Sequence, residues 1–86
     1  MSKVWLVTGA GSGIGAGITK AAMRAGDRVV ATGRNLDKVR SALRDVASES
    51  LAFVQLDVAE DAQAKSAVAE ALKRFGRIDV AVNNAG

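Results

Sequence analysis

Apolar and polar positions along this 86-residue chain alternate between two periods. Short unbroken apolar runs are followed by longer stretches in which apolar residues recur every three or four positions. The first run, Val4-Trp5-Leu6-Val7, predicts a strand. A helix is predicted from about Gly13 to Ala25, with Ile14, Ile18, Ala21, Ala22 and Ala25 on one face. Gly26 is placed to end it. A second strand is expected over Arg28–Thr32, carrying Val29, Val30 and Ala31. Asn35 is a candidate N-cap for a second helix over Leu36–Ala47, whose stripe is Leu36, Val39, Leu43, Val46 and Ala47. Leu51–Leu56 predicts the third strand. Glu60–Phe75 predicts the third helix, with Val68, Ala71, Leu72 and Phe75 on its apolar face. Glu60 and Asp61 fall in its first turn and Lys73 and Arg74 in its last, the signs that a helix dipole favours. Gly76 follows, and Ile78–Val82 is the fourth strand. The order is βαβαβαβ, which implies an α/β fold with a parallel sheet covered by helices.

Size and composition narrow the function. Eighty-six residues make at most one domain, and a chain of this length buries roughly 60% of its unfolded surface, a thin margin for stability. Apolar residues make up 49% of the chain, as in globular proteins. Twelve basic and nine acidic residues give +3, spread without runs. A nucleic-acid surface would show a clustered basic stripe, so no nucleic-acid partner is expected. With no Cys and no His, disulfides, thiol nucleophiles, His bases and the usual zinc sites are excluded. No apolar run approaches the ~20 residues of a membrane span. The apolar stretch after Lys3 is too short for a signal peptide. The expectation is a cytoplasmic protein with no membrane partner.

The chemistry concentrates in Thr8-Gly9-Ala10-Gly11-Ser12-Gly13-Ile14-Gly15, between the first strand and the first helix. The first N–H groups of a helix lack partners within it, and its dipole places about half a positive charge there. A pyrophosphate supplies both the acceptors and the opposite charge. Several registers are possible. A P-loop requires Gly-Lys followed by Ser or Thr, and the chain has no Gly-Lys pair. A G-x-G-x-x-G/A pattern runs through Gly11, Gly13 and Ala16, but it calls for an acid after the second strand, where Arg34 stands. A methyltransferase-type reading through Gly9, Gly11 and Gly13 wants an acid at the same place. The remaining register is Thr8-Gly9-x-x-x-Gly13-x-Gly15.

In that register TGAGSGIG resembles the TGxxxGIG cofactor turn of the short-chain dehydrogenase/reductase family. Asp57-Val58 after the third strand and Asn83-Asn84-Ala85-Gly86 after the fourth resemble two further family motifs, in the same order. The resemblance implies the N-terminal half of a Rossmann-type doubly wound sheet, strand order 3-2-1-4, with the fourth strand an open edge. It implies a pyrophosphate on Gly9, Gly11, Ser12, Gly13, Ile14 and Gly15, and an adenine on Asp57 and Val58. Asn84, Ala85 and Gly86 would lie beside the cofactor ribose. Asp57 could instead serve only as a charge at a helix start, and the asparagines only as turn formers.

Arg34 directs the cofactor reading toward NADP. An Asp there would accept from a free ribose 2′-hydroxyl, whereas an Arg can fork onto a 2′-phosphate. Ser12 stands where many NADP-preferring members carry a base, so NAD stays as the second choice. The family's proton chemistry uses a Tyr, a Lys four residues later, a Ser and an Asn. A phenol of pKa about 10 needs that nearby cation to act at neutral pH. This chain contains no Tyr, so no residue in it is assigned a catalytic role. The expectation is therefore an N-terminal portion of an oxidoreductase acting on carbonyls or alcohols, inactive alone, its parent a homo-oligomer. A non-catalytic dinucleotide-binding module is the alternative. Trp5 is read as sheet packing, and Asp27, Asp45 and Asp79 as solvated charges.

Overall fold

The computed structural model describes residues 2–11, 13–56 and 61–84. Four parallel strands, β1 (Val4–Val7), β2 (Arg28–Gly33), β3 (Leu51–Gln55) and β4 (Val80–Val82), lie in the order β3-β2-β1-β4. Helices α1 (Gly13–Arg24), α2 (Leu36–Leu43) and α3 (Asp61–Phe75) alternate with them. The register aligns Trp5 with Val29 and Val80, and Val29 in turn with Leu51.

Alternate strand residues face opposite layers, so a strand buried on both sides reads as one apolar run. Val7, Val29, Ala31 and Leu51 pack with Ala22 of α1 and with Val39 and Leu43 of α2. Leu6, Val30 and Ala52 face the other way, onto Ala71 of α3. Two helices therefore cover one face and a third part of the other. Gly26 and Gly76, at φ 86° and 82°, end α1 and α3 in the left-handed conformation that glycine adopts freely.

The helices present faces rotated from those expected. In α1 the buried residues are Gly15, Thr19 and Ala22, while Ile14 is 71% exposed. Ala21 and Ala25 are exposed too. Gly15 is drawn inward by its contact with the preceding turn, and positions four and seven residues later follow it. Thr19 tolerates complete burial because its hydroxyl donates to the Gly15 carbonyl at 2.9 Å. In α3 the inward line is Ala67 and Ala71, with Phe75 half-buried, and Val68 and Leu72 stand outward. Small side chains at the contact let a helix lie close to the sheet.

Two elements are shorter than predicted. The α-helix of α2 stops at Leu43 and the chain tightens into a 3₁₀ turn over Arg44–Val46. No glycine follows Leu43 to form a left-handed cap, and a 3₁₀ turn is the common alternative ending. It still brings Val46 onto the core. β4 begins at Val80; just before it, the Asp79 backbone N–H donates to Val4 O at 2.8 Å and its carboxylate accepts from Val4 N at 2.8 Å.

Asp79 and Asp27, expected as solvated charges, lie outside the strands and in addition brace the sheet. Asp27 accepts from Lys3 N at 3.0 Å and from the Trp5 indole N–H at 2.9 Å. Asp79 accepts also from Arg77 Nε at 2.9 Å. One carboxylate holds each side of the start of β1. Asp45 pairs with Lys20 of α1 at 3.3 Å and ties the 3₁₀ turn to that helix.

Candidate cofactor site

The glycine-rich turn leaves the C-terminal end of β1, the central position in the sheet, where ligands bind in open parallel folds. Ala10 N donates to Thr32 O at 2.9 Å and Thr8 N to Val82 O at 3.0 Å, so the turn is held from β2 on one side and β4 on the other. Gly9 has φ 63°, a conformation that a side chain would strain. The chain then doubles back so tightly that a Cβ on Gly15 would overlap the Gly9 carbonyl oxygen and lie 2.8 Å from Asn84 Nδ2. A Cβ on Gly11 would press on Val39 Cγ2 at 3.3 Å. Around Gly13, by contrast, none of the described residues beyond its chain neighbours and its own helix backbone lies within 4 Å of an added Cβ.

Asn84 is bound to this turn. Its backbone N–H donates to the Thr8 hydroxyl at 2.9 Å, and its side-chain amide donates to Gly9 O at 3.4 Å. The segment after β4 therefore fixes the segment after β1. Gly9, Gly11, Gly13, Ile14, Gly15 and Asn84 all gather at this end of the sheet. Ile14, expected in the core, stands exposed there. Ser12, Asp57, Val58, Ala85 and Gly86 lie outside the described residues.

The electrostatics suit an anion. The first turn of α1 contains no acidic residue, so the positive end of its dipole meets no carboxylate within the helix. A groove of about 210 Å³ runs beside the turn, lined by Gly9, Gly11, Gly33, Arg34, Asn35, Lys38 and Val39. That is below the roughly 300–1,000 Å³ of a whole small-molecule site, so it suits one end of a ligand. Val39 is its buried floor: a Cβ on Gly33 would come within 2.6 Å of Val39 Cγ2. Gln55 Nε2 donates to Arg34 O at 3.3 Å and anchors the loop that carries the arginine. Asn35 caps α2 through Lys38 N–H at 3.3 Å. Lys38 was missed in the sequence because it sits inside a regular helix, where a lysine reads as solvated surface. Its signal was position: a cation in a first turn opposes the helix dipole.

The model of the short chain dehydrogenase family matches residues 3–86. This chain belongs to the short-chain dehydrogenase family. Oxidoreductase BOA17 of Botryotinia fuckeliana is 40% identical over 86 residues, all of this chain and 31% of that protein. A short-chain dehydrogenase from Streptomyces avermitilis superposes with a TM-score of 0.91 at 42% identity, over 100% of this chain and 31% of that one. A 3-ketoacyl-(acyl-carrier-protein) reductase from Brucella melitensis, complexed with NADH, gives a TM-score of 0.85 at 33% identity over 92% of this chain and 32% of its own. The chain thus spans about a third of the length of these relatives. Its share of the short-chain dehydrogenase fold is the parallel sheet and the glycine turn. The family's Tyr-x-x-x-Lys pair has no counterpart among residues 1–86, which contain no tyrosine. Among the described residues no group of three or more carboxylates could hold a metal, and no helix is long and apolar enough to cross a membrane.

Proposed function

We propose that these 86 residues are the cofactor-binding part of an NADP-dependent oxidoreductase that moves a hydride between the nicotinamide and a carbonyl or alcohol. The backbone of Gly11–Gly15, at the positive end of α1, takes the pyrophosphate. The adenosine ribose then falls in the groove past β2, with its 2′-phosphate on Arg34. When bound, the nicotinamide supplies or accepts the hydride. The residues of this chain bind and orient the dinucleotide. They contribute no proton donor to the reacting oxygen, so in this reading they are inactive alone. Asp57 and Val58 complete the adenine contact, Ser12 the pyrophosphate contact, and Ala85 and Gly86 join Asn84 near the ribose.

The observation that carries this reading is the Gly15–Gly9 approach, a turn too tight for a Cβ that leads into a helix with no acidic residue in its first turn. The choice of NADP over NAD rests on Arg34 lining the adjoining groove, with no acid among its described lining residues. The Brucella reductase, 33% identical, is complexed with NADH, which makes NAD the competing choice. Titration calorimetry on the intact protein tests the choice: NADP⁺ binds more tightly than NAD⁺, and Arg34→Ala removes most of the difference. Equal affinity of the wild type for both would overturn it.

A further inference from the structure

We propose that Gln55 is a positioning residue for the choice of cofactor: it fixes the peptide that carries Arg34 and so sets where the guanidinium stands. The inference rests on the NADP reading above and deepens it. Arg34 is exposed and sits at a junction, after the last residue of β2 and before the cap of α2. The carbonyls on either side of it are held by backbone. Gly33 O accepts from Leu56 N at 2.9 Å, and Asn35 O accepts from Val39 N at 3.2 Å. Between them the Arg34 carbonyl accepts from a side chain, Gln55 Nε2, at 3.3 Å.

That carbonyl belongs to the planar peptide joining Arg34 to Asn35, so its orientation sets ψ of Arg34 and φ of Asn35 together. Asn35 needs its extended φ of −113° to cap α2. A long exposed side chain has many rotamers, and the backbone beneath it decides which of them reach a ligand. Such a residue is placed with precision only when a supporting hydrogen bond holds it. Gln55 is set to supply that bond. It pairs with Gly33 in the parallel register, so its side chain starts level with the residue before Arg34 and reaches one residue forward. Alternation along β3 turns it to the same side as Leu51 and Phe53, which pack in the cluster with Val39 and Leu43 of α2. In the chain it stands two residues ahead of Asp57, which the reading above gives to the adenine. The bond therefore ties the strand that leads to the adenine contact to the loop that bears the 2′-phosphate contact. NAD carries the same adenine and no 2′-phosphate, so only NADP depends on where Arg34 points.

The test is a double-mutant cycle on the intact protein, with NADP⁺ and NAD⁺ titrated into the wild type, Gln55→Met, Arg34→Ala and the double variant. Methionine matches the length of glutamine and donates no hydrogen bond. Gln55→Met should weaken NADP⁺ on the order of fivefold, the effect of losing one neutral hydrogen bond, and leave NAD⁺ unchanged. Gln55→Ala removes the same donor by a different route and should give the same shift. Neither should move the melting temperature much, because Gln55 is exposed. In the Arg34→Ala background, Gln55→Met should change neither affinity, since its effect passes through the arginine. An unchanged NADP⁺/NAD⁺ ratio in Gln55→Met, with the ratio collapsed in Arg34→Ala, would overturn the role of Gln55 and leave the cofactor reading standing. So would an equal loss of NADP⁺ affinity with and without the arginine. A wild type without NADP⁺ preference, or without binding of either dinucleotide, would overturn both.

Discussion

Gly15 lies against the carbonyl of Gly9 with no room for a side chain between them. That contact rotates α1 so that Gly15, Thr19 and Ala22 face the sheet, and it aims the helix start at the mouth of the turn. The obstruction is backbone, which cannot swing aside as a side chain could. Gly15→Ala should therefore cost more than about 2 kcal/mol. Gly17, on the same helix, is exposed, and among the described residues beyond its own helix nothing lies within 4 Å of an added Cβ. Gly17→Ala should raise stability by about 0.5–1 kcal/mol, the gain from replacing a helical glycine. Urea denaturation of both variants in the intact protein measures the contrast, and similar midpoints for the two would refute the packing argument.

Asn35 joins fold and site, since its side chain caps the helix that carries Lys38 and Val39. Asn35→Ala should destabilise the protein by about 1 kcal/mol, and Asn35→Ser or Asn35→Asp by much less. Hydrogen exchange should show the loss concentrated in the first turn of α2. Uniform loss of protection would contradict a capping role.

The two aspartates at the start of β1 predict an acid transition. The Lys3 amide, followed by the Trp5 indole, holds the Asp27 carboxyl below its ordinary pKa. The Val4 amide, followed by the Arg77 guanidinium, does the same for Asp79. A carboxyl whose folded pKa is depressed stabilises the fold fully above its unfolded value. That contribution fades as pH falls through the folded value. Melting temperature should thus hold steady down to about pH 4 and then drop. The Asp27→Asn, Asp79→Asn double variant should melt lower than wild type at pH 6 and fall less steeply below pH 4. Parallel curves for the two proteins would show that these carboxylates do not drive the transition.

The sequence of elements was legible because a parallel sheet buried on both faces writes itself as apolar runs, as at Val4–Val7 and over residues 51–54, whereas the strand order was legible only through the motifs' resemblance to a known family. Helix rotation was less legible. Periodicity placed Ile14 inside because isoleucine is apolar, while the decisive contact involved Gly15, which has no side chain to register in such a pattern. The ends of β4 and α2 depended on particular hydrogen bonds and cap geometry that no periodicity encodes. Of the candidate site, the glycine turn, Arg34 and Asn84 were found from motifs. Lys38 was not, because only the packing of α2 beside β2 brings it to the groove. The bracing by Asp27 and Asp79 was missed for a related reason: their partners are 24 and 75 residues away in sequence.

The claim that the turn grips a dinucleotide is tested most directly at Gly13, where an added methyl would meet none of the described residues beyond its chain neighbours and its own helix backbone. Gly13→Ala should therefore leave the melting temperature of the intact protein nearly unchanged, yet weaken NADP⁺ at least on the order of tenfold in titration calorimetry, because the methyl would stand where the pyrophosphate approaches the backbone. Unaltered NADP⁺ affinity in a Gly13→Ala protein that melts like wild type would contradict the account.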